Sequence, residues 1–328
     1  MVKVSVILTA FNEERYIKKA IESILNQTFE DLELIVVNDG STDITLDIIN
    51  GFDDERLKLI NQENIGPGAS RNNALKEARG EYVMYLDGDD WYSEDAVEIA
   101  YAEAKEKDTD FTFYQMINYD DKTGKVYEND WFNLNIFDET FEDTVFKATD
   151  YEGSIFDMSV GVCQKIYNAS FLRRIDARFP EGIFFEDMPF FYYVLLKAER
   201  ISIIKRHLYY RRKHDASITH VVDEKFLDTV PAGQELLRIF IENGWYDAYK
   251  FDLLAYKING PRFALRDIKE NCKVPLYELI KKDYISIKQS QYYSDFLENL
   301  GPVKKKFFLD IIESKDYDDF MTLNQAKS

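Results

Sequence analysis

Residues 81–90 read EYVMYLDGDD, a short apolar run that ends in three carboxylates. Such a run, bounded by a turn, is typical of a buried strand. Gly88 allows a sharp turn and a close approach by a ligand. Carboxylates at the exposed end of a strand are hard oxygen ligands, which Mg²⁺ or Mn²⁺ uses together with substrate phosphates. The alternative is an acidic turn that caps a helix beginning after Ser93.

Strand and helix patterns alternate around this stretch. Further strands are predicted at 2–8, 33–37, 57–61 and 110–116, and helices at 17–25, 44–49, 69–78 and 93–105. The alternation predicts an α/β fold with a mostly parallel, Rossmann-like sheet flanked by helices. Because ligands of such sheets bind beyond the carboxyl ends of the strands, we expect the polar clusters 9–13, 38–43 and 87–90 to form one site.

The remainder of the chain changes in character. Residues 118–160 are acidic, aromatic and weakly periodic, which predicts an irregular insertion with a few short strands. From 223 to 328 the pattern is helical, and this part is predicted as a C-terminal extension. Its helices are expected at 225–243, 246–267, 276–282 and 291–314.

The composition restricts the partners. The formal net charge of −19 disfavours nucleic acid as a partner, so a small anionic ligand would need a metal ion or arginines. Two cysteines without CxxC spacing predict neither a disulfide framework nor structural zinc. Because the first apolar run is short and no stretch is long enough to span a bilayer, we expect a cytoplasmic protein without a secretory signal.

Two more positions could contact a nucleotide. Asp39 ends an apolar strand, and it could accept hydrogen bonds from a base or ribose or, equally, form an Asx turn and helix cap. Residues 64–72, NIGPGASRN, form a glycine-rich turn and helix start that matches neither the Walker loop nor GxGxxG. Arg71 in this segment could reach a base or phosphate, or be a solvated helical arginine.

Four segments together resemble the family 2 glycosyltransferases of the GT-A fold. They are ILTAFNE at 7–13, VVNDGSTD at 36–43, GPGASRNNA at 66–74 and LDGDD at 86–90. The resemblance covers about the first two-thirds of the chain. It implies transfer of a sugar from a nucleotide diphosphate sugar to an acceptor hydroxyl with inversion. It also implies a uridine diphosphate carrier and a Mn²⁺ or Mg²⁺ cofactor.

The resemblance also implies roles for individual residues. The metal would be bound by Asp89, and the uracil edge by Asp39. Arg71 would lie on the base side, and Asp87 would approach the ribose. The whole set implied to bind the nucleotide is Thr9, Ala10, Phe11, Glu13, Asp39, Gly66, Arg71, Asp87 and Gly88.

The segment FPEGIFFEDMPFF at 179–191 resembles the Glu-Asp motif of this family. The resemblance implies that Asp187 is the catalytic base and that Glu186 binds or orients the acceptor hydroxyl. A base must lie within hydrogen-bond reach of the attacking oxygen, and apolar neighbours would raise the pKa of its carboxyl group to a useful value. The alternative is that both carboxylates cap the helix predicted at 189–196.

The stretch LYYRRKHDASIT at 208–219 is the most basic in the chain and resembles the family segment that closes over the donor. The resemblance implies that Arg211, Arg212 and Ser217 bind the diphosphate and stabilise its developing charge. His214 would ligate the metal or donate to a phosphate. His207 and His220 are alternatives for that role.

The resemblance also divides the chain by function. Residues 1–222 would be the GT-A domain, with a nucleotide-binding half at 1–117 and an acceptor-binding half at 118–222. The acceptor would be a carbohydrate or lipid-linked molecule of polysaccharide, teichoic acid-like polymer or glycolipid synthesis. The sequence predicts no oligomeric state. Residues 304–308, KKKFF, could contact the inner face of a membrane, although a solvated helix start explains them as well.

Two other function classes fit less well. A nucleotidyltransferase would need a glycine-rich, lysine-bearing loop near the N-terminus, and residues 9–14 contain neither glycine nor lysine. A non-catalytic nucleotide-sugar-binding protein could dispense with Glu186 and Asp187.

Overall fold

A computed structural model describes residues 2–128, 133–214 and 222–325. Its strands are β1 Val4–Ala10, β2 Leu32–Asp39, β3 Leu57–Gln62, β4 Tyr82–Asp87, β5 Trp91–Tyr92, β6 Phe111–Asp120, β7 Val126–Tyr127, β8 Lys165–Asn168 and β9 Ile201–Lys213. Within the described ranges they form one sheet in the order β3-β2-β1-β4-β8-β6-β9-β5, with β7 paired to β6.

The first half of this sheet is parallel. Strand β1 pairs with β2 and with β4, and β2 pairs with β3, all in parallel. Strands β1 and β2 are buried over almost their whole length, which suits near-continuous apolar runs in a parallel sheet. Beyond β4 the sheet is mixed, because β8 is antiparallel to both β4 and β6. The predicted α/β class is confirmed, and its mostly parallel character holds for the first four strands.

Six α-helices lie among the described residues up to His214, alongside the strands of this sheet. They are α1 Ile17–Leu25, α2 Thr45–Asn50, α3 Pro67–Glu77, α4 Ala96–Glu106, α5 Ala169–Arg174 and α6 Asp187–Lys197. On α1 the buried residues Ile17, Ala20, Ile21 and Ile24 form one apolar face, as their spacing predicts. The predicted insertion contains β7 and several 3₁₀ turns, among them Glu139–Phe141 and Ala148–Asp150.

The chain divides into two compact units. The first is Met1–Gly182 with Glu186–His214, and the second is Ile183–Phe185 with Asp215–Ser328. After a 3₁₀ turn at Glu224–Asp228, the second unit contains α7 Thr229–Glu242, α8 Tyr246–Asp267, α9 Glu270–Lys288, α10 Tyr293–Asn299, α11 Pro302–Glu313 and α12 Tyr317–Gln325. The predicted boundary at 222 and 223 stays a prediction, since residues 215–221 lie outside the described ranges.

Two expectations for the second unit are corrected. The single helix predicted at 291–314 is two helices, because the chain turns at Gly301 and Pro302 starts a new helix at its first position. The membrane-contact hypothesis for residues 304–308 is also wrong for its apolar part, since Phe307 and Phe308 are buried. Within the described ranges, each helix is too short or too polar to cross a bilayer.

Candidate active site

The carboxyl ends of β1, β2 and β4 meet at one edge of the sheet. In the strand register Thr9 lies opposite both Val37 and Asp87. A Cβ atom at Gly88 would lie 3.0 Å from Cγ of Glu13 and 3.2 Å from the Thr9 carbonyl oxygen. The turn after β4 therefore packs directly against the loop after β1, and this close contact favours glycine.

Acidic side chains accumulate at this edge. Burial, followed by the nearby charges of Asp89 and Asp87, raises the pKa of Glu13 to about 8. Like charges this close disfavour one another's ionised form. A divalent cation would relieve that repulsion, so the donor set fits the implied metal.

Asp89 and His214 are brought together although 125 residues separate them. Nε2 of His214 lies 3.0 Å from Oδ2 of Asp89. The imidazole ring of His214 packs against the phenol ring of Tyr16. Elsewhere, Nε2 of His207 lies 3.8 Å from Oε1 of Glu128, and His220 falls outside the described residues. Over the described ranges, no group of three or more His, Cys, Asp or Glu residues is arranged to hold a metal. Asp89 and His214 could supply two ligands and leave the other positions to phosphate oxygens.

Asp39 holds the glycine-rich turn before α3. Its Oδ1 accepts a hydrogen bond from the Ile65 amide at 3.0 Å, and its Oδ2 accepts one from the Gly66 amide at 2.9 Å. Gly66 has a φ of +88°, which favours glycine. The alternative that Asp39 caps α2 is wrong, because the amide of Thr45, the first residue of that helix, donates to Oδ1 of Asp43. The predicted contact with uracil stays a prediction.

Arg71 is buried, so the alternative of a solvated helical arginine is wrong. Its Nη2 donates to Oδ1 of Asp87 at 2.9 Å, and its Nη1 donates to Oε1 of Glu186. Such charge-assisted hydrogen bonds are strong, and Arg presents them in a fixed fork. The Arg71 guanidinium thus joins the carboxylate that ends β4 to the Glu-Asp motif. Glu186 in that motif lies 115 residues after Arg71 in the sequence.

Asp187 is the first residue of α6 and is half-buried. Burial and the neighbouring Glu186 charge raise the pKa of its carboxyl group to about 7, while Arg71 and Lys165 oppose the shift. The alternative that both carboxylates cap α6 is not what the structure has, because Glu186 makes no cap hydrogen bond and instead accepts from Arg71. Asp187 is therefore able to exchange a proton near neutral pH.

Arg212, in the basic segment 208–219, is buried among aromatic and acidic side chains. The Arg212 guanidinium lies 4.5 Å from the ring centroid of Tyr16 and 4.8 Å from that of Trp91, and it pairs with Asp121. Its backbone amide donates to Asp90. Arg212 thus helps to hold the turn after β4, and its contact with a diphosphate stays a prediction.

Other predicted residues can be located more simply. Arg211 is half-buried on β9 opposite Asn118, and Ser217 lies outside the described residues. Ala10 is buried, whereas the Phe11 side chain is 45% exposed at the mouth of the loop after β1. The thiols of Cys163 and Cys272 are both free and buried.

Two residues near the site were missed by sequence reasoning. The buried Asn72 side chain bonds to the backbone of Phe179, and the fully buried Lys165 ammonium lies over the rings of Phe113 and Phe191. Burial lowers the pKa of Lys165 to about 7. The available signals were a polar residue directly after Arg71 and three residues after Ala69, and a charged residue inside an apolar strand.

This sheet, the acidic edge formed by β1, β2 and β4, and the Glu-Asp pair at the start of α6 define a glycosyltransferase of the GT-A fold. Residues 5–167 match the model of the family described as "Glycosyl transferase family 2". The chain is 32% identical over 256 residues to "Putative glycosyltransferase EpsH" of Bacillus subtilis, a match that covers 76% of this chain and 72% of that protein. The chain belongs to glycosyl transferase family 2.

Two further similarities extend the comparison. "Glycosyltransferase GlyA" of Streptococcus pneumoniae is 30% identical over 255 residues, which cover 74% of this chain and 35% of GlyA. The chain thus spans about a third of the length of that relative. The crystal structure of residues 1–349 of Staphylococcus aureus TarS in complex with UDP-GlcNAc matches with a TM-score of 0.71 and 23% identity. That match covers 99% of this chain and 91% of the TarS chain, and it shows a shared fold that includes the helical C-terminal region.

Proposed function

We propose that this protein transfers a sugar from a UDP-linked donor to an acceptor hydroxyl and inverts the anomeric configuration. The observation that carries the proposal is the pair of hydrogen bonds from Arg71, one to Asp87 and one to Glu186. They connect the carboxylate cluster suited to a nucleotide diphosphate with the carboxyl group suited to deprotonate an acceptor. A protein that only bound the nucleotide sugar would not need that second group.

The donor would bind at the acidic edge of the sheet. Thr9, Ala10, Phe11 and Glu13 would frame the nucleoside, with Asp39 on the uracil. The choice of UDP is supported by a crystal structure of TarS in complex with UDP. That structure matches 89% of this chain at 26% identity, with a TM-score of 0.56. Asp89 and His214 would hold Mn²⁺ or Mg²⁺, which when bound neutralises the diphosphate charge.

The reaction would proceed by a direct displacement. Asp187 accepts the proton of the acceptor hydroxyl as its oxygen forms a bond to the anomeric carbon. The bond between that carbon and the diphosphate oxygen breaks, and its electron pair leaves with UDP. Attack from the face opposite the leaving group inverts the anomeric centre. Glu186, fixed by Arg71, would orient the acceptor, and Arg211, Arg212 and Ser217 would stabilise the departing diphosphate.

The acceptor would be a carbohydrate or a lipid-linked molecule of cell-surface polymer synthesis. A relative supports this class: Staphylococcus aureus TarS, described as a poly(ribitol-phosphate) beta-N-acetylglucosaminyltransferase, is 27% identical to this chain over 343 residues. A polymer assembled on the inner face of the membrane would agree with the predicted cytoplasmic location. The net charge of −19 argues against nucleic acid as the acceptor.

The substitution Asp187→Asn tests the proposed base. It removes the proton acceptor and keeps the size of the side chain, so transfer should fall by about 10²-fold or more while UDP affinity stays the same. Transfer can be followed as UDP release from a panel of UDP-sugars, and affinity by calorimetry. Asp176→Asn, an exposed position with a φ of 50° that Asn tolerates, is the matched control. Full transfer activity in Asp187→Asn would refute the assignment.

A further inference from the structure

The segment that leads into the catalytic motif is anchored by a side chain of α3. Nδ2 of Asn72 donates to the carbonyl oxygen of Phe179 at 2.9 Å, and Oδ1 of Asn72 accepts from the Phe179 amide at 2.9 Å. Nδ2 also donates to Oε1 of Glu181 at 2.9 Å. The Asn72 side chain therefore satisfies both backbone groups of a buried residue, much as a neighbouring strand would.

The ring of Phe179 connects the anchored segment to α6. It stacks on Phe190 with a centroid separation of 3.8 Å and an interplanar angle of 6°. Tyr85 of β4 contacts both rings edge-on, at 5.4 Å and 6.3 Å. Phe190 lies three residues after Asp187, close to one turn further along the same helix, so fixing its ring fixes where the helix begins.

Helix α3 approaches this segment as closely as its backbone allows. A Cβ atom at Gly68 would lie 2.2 Å from the carbonyl oxygen of Pro180 and 3.2 Å from Cγ of Glu186. The Arg71 guanidinium lies 5.4 Å from the Phe179 ring centroid. Three positions of one helix, Gly68, Arg71 and Asn72, therefore face the segment that precedes the proposed base.

We infer that Asn72 is a positioning residue for the transfer reaction, because through Phe179 and Phe190 it sets where α6 and its first residue, Asp187, lie. The inference rests on the proposed function only in taking Asp187 as the base. Asn72 would act on the reaction through the backbone of Phe179, to which its side chain is bonded. A displacement of about 1 Å at a reacting group can cost about 10²-fold in rate.

The variant Asn72→Ala tests this role, with Lys76→Ala, at an exposed position near the end of the same helix, as control. Three quantities should be measured: UDP affinity with Mn²⁺ by calorimetry, turnover of whichever UDP-sugar the wild type uses best, and deuterium exchange of the peptide that contains residues 179–190. We expect kcat to fall at least about tenfold with UDP affinity within about twofold, and exchange of that peptide to rise.

Wild-type turnover in Asn72→Ala, or unchanged exchange of residues 179–190, would overturn the inference. If non-cooperative unfolding shows that Asn72→Ala is not folded, Phe190→Leu gives a second test, because it keeps the hydrogen bonds between Asn72 and Phe179 and removes the ring that stacks on Phe179. Its kcat should also fall about tenfold, and wild-type kcat would again overturn the inference. If the wild type turns over no UDP-sugar, the proposed function fails, whereas the exchange measurement still decides whether Asn72 fixes this segment.

Discussion

At the scale of single residues, the site depends on how burial changes carboxyl chemistry. Asp187 and Glu13 are flanked by other acids and partly removed from water, and the pKa of each is raised, to about 7 and about 8 respectively. Both are affected by the charge of Asp87, but the strongest acidic neighbour is Glu186 for Asp187 and Asp89 for Glu13. One environment suits a proton acceptor and the other suits a cation, which fits two separate roles in a single cleft.

The raised pKa of Asp187 predicts the pH dependence of the reaction. Only the deprotonated carboxylate can accept a proton, so kcat/KM should fall about tenfold per pH unit as the pH drops below about 7. The profile of UDP release between about pH 5.5 and 9 would show this limb, and Asp187→Asn should lose it. A profile that stays flat down to about pH 5 would mean that another group accepts the proton.

The sequence predicted where the candidate side chains lie in the fold better than it predicted what they contact. The acids at 87 and 89 followed from their place after a strand, and Asp187 followed from a family motif. The partner of Arg71 could not be predicted, because its two carboxylates lie 16 and 115 residues away in the sequence. Asn72 was missed for the same reason: its hydrogen bonds form only when 107 residues of chain have folded back.

At the scale of elements, α3 explains the close packing around the motif. Gly68 lies inside this helix, where alanine would ordinarily gain about 0.5–1 kcal/mol. Because its Cβ would lie 2.2 Å from the Pro180 carbonyl oxygen, the sign should reverse here. Gly68→Ala should destabilise the protein by about 1–3 kcal/mol, which differential scanning calorimetry would record as a lower Tm.

The matched control for that substitution is Gly233→Ala in α7. Its Cβ would lie 3.5 Å from Cγ of Lys257, an ordinary van der Waals distance, so the Tm should rise slightly. An equal response of Gly68→Ala and Gly233→Ala would contradict the close approach of α3 to Pro180.

Elements were predictable where one pattern was continuous. The apolar face of α1 and the span of α8, at Tyr246–Asp267, agree with the sequence, because the buried residues of each helix recur at helical spacing. Strand β9 was not predicted, since Lys205, Arg206 and His207 interrupt its apolar run. Its pairing with β6 shifts register near those residues, so the irregularity of the sequence corresponds to an irregularity in the sheet.

At the scale of the whole molecule, the helical second unit has a buried charge pair of its own. Nζ of Lys257 on α8 lies 2.8 Å from Oδ2 of Asp283 on α9, and Gln234 of α7 donates to the same carboxylate. The two charged side chains are 1% and 6% exposed. Removing one partner leaves the other charge buried and uncompensated, which is more costly than never having had the pair.

Lys257→Met should therefore destabilise the second unit by about 3–5 kcal/mol in urea unfolding. The double variant Lys257→Met with Asp283→Leu should recover most of that loss. Lys250→Met removes the partly exposed Lys250–Asp295 pair and should cost less than about 1 kcal/mol. A similar loss for both single lysine variants would contradict the account of the buried pair.

The net charge of −19 sets the central problem for the whole chain, which is to bind an anionic nucleotide at an acidic edge. A divalent cation between the diphosphate and the pair formed by Asp89 and His214 would solve this problem. From charge alone, the sequence predicted that a small anionic ligand would need either a metal ion or arginines. The apposition of those two side chains, 125 residues apart, required the folded structure.

The most direct test of this central claim is a calorimetric titration of the wild-type protein with UDP, in the presence of Mn²⁺ and again in excess EDTA. The account predicts binding with Mn²⁺, little or none in EDTA, and loss of the Mn²⁺-dependent binding in Asp89→Ala. Equal UDP affinity with and without the cation, or Mn²⁺-dependent binding that survives in Asp89→Ala, would contradict it.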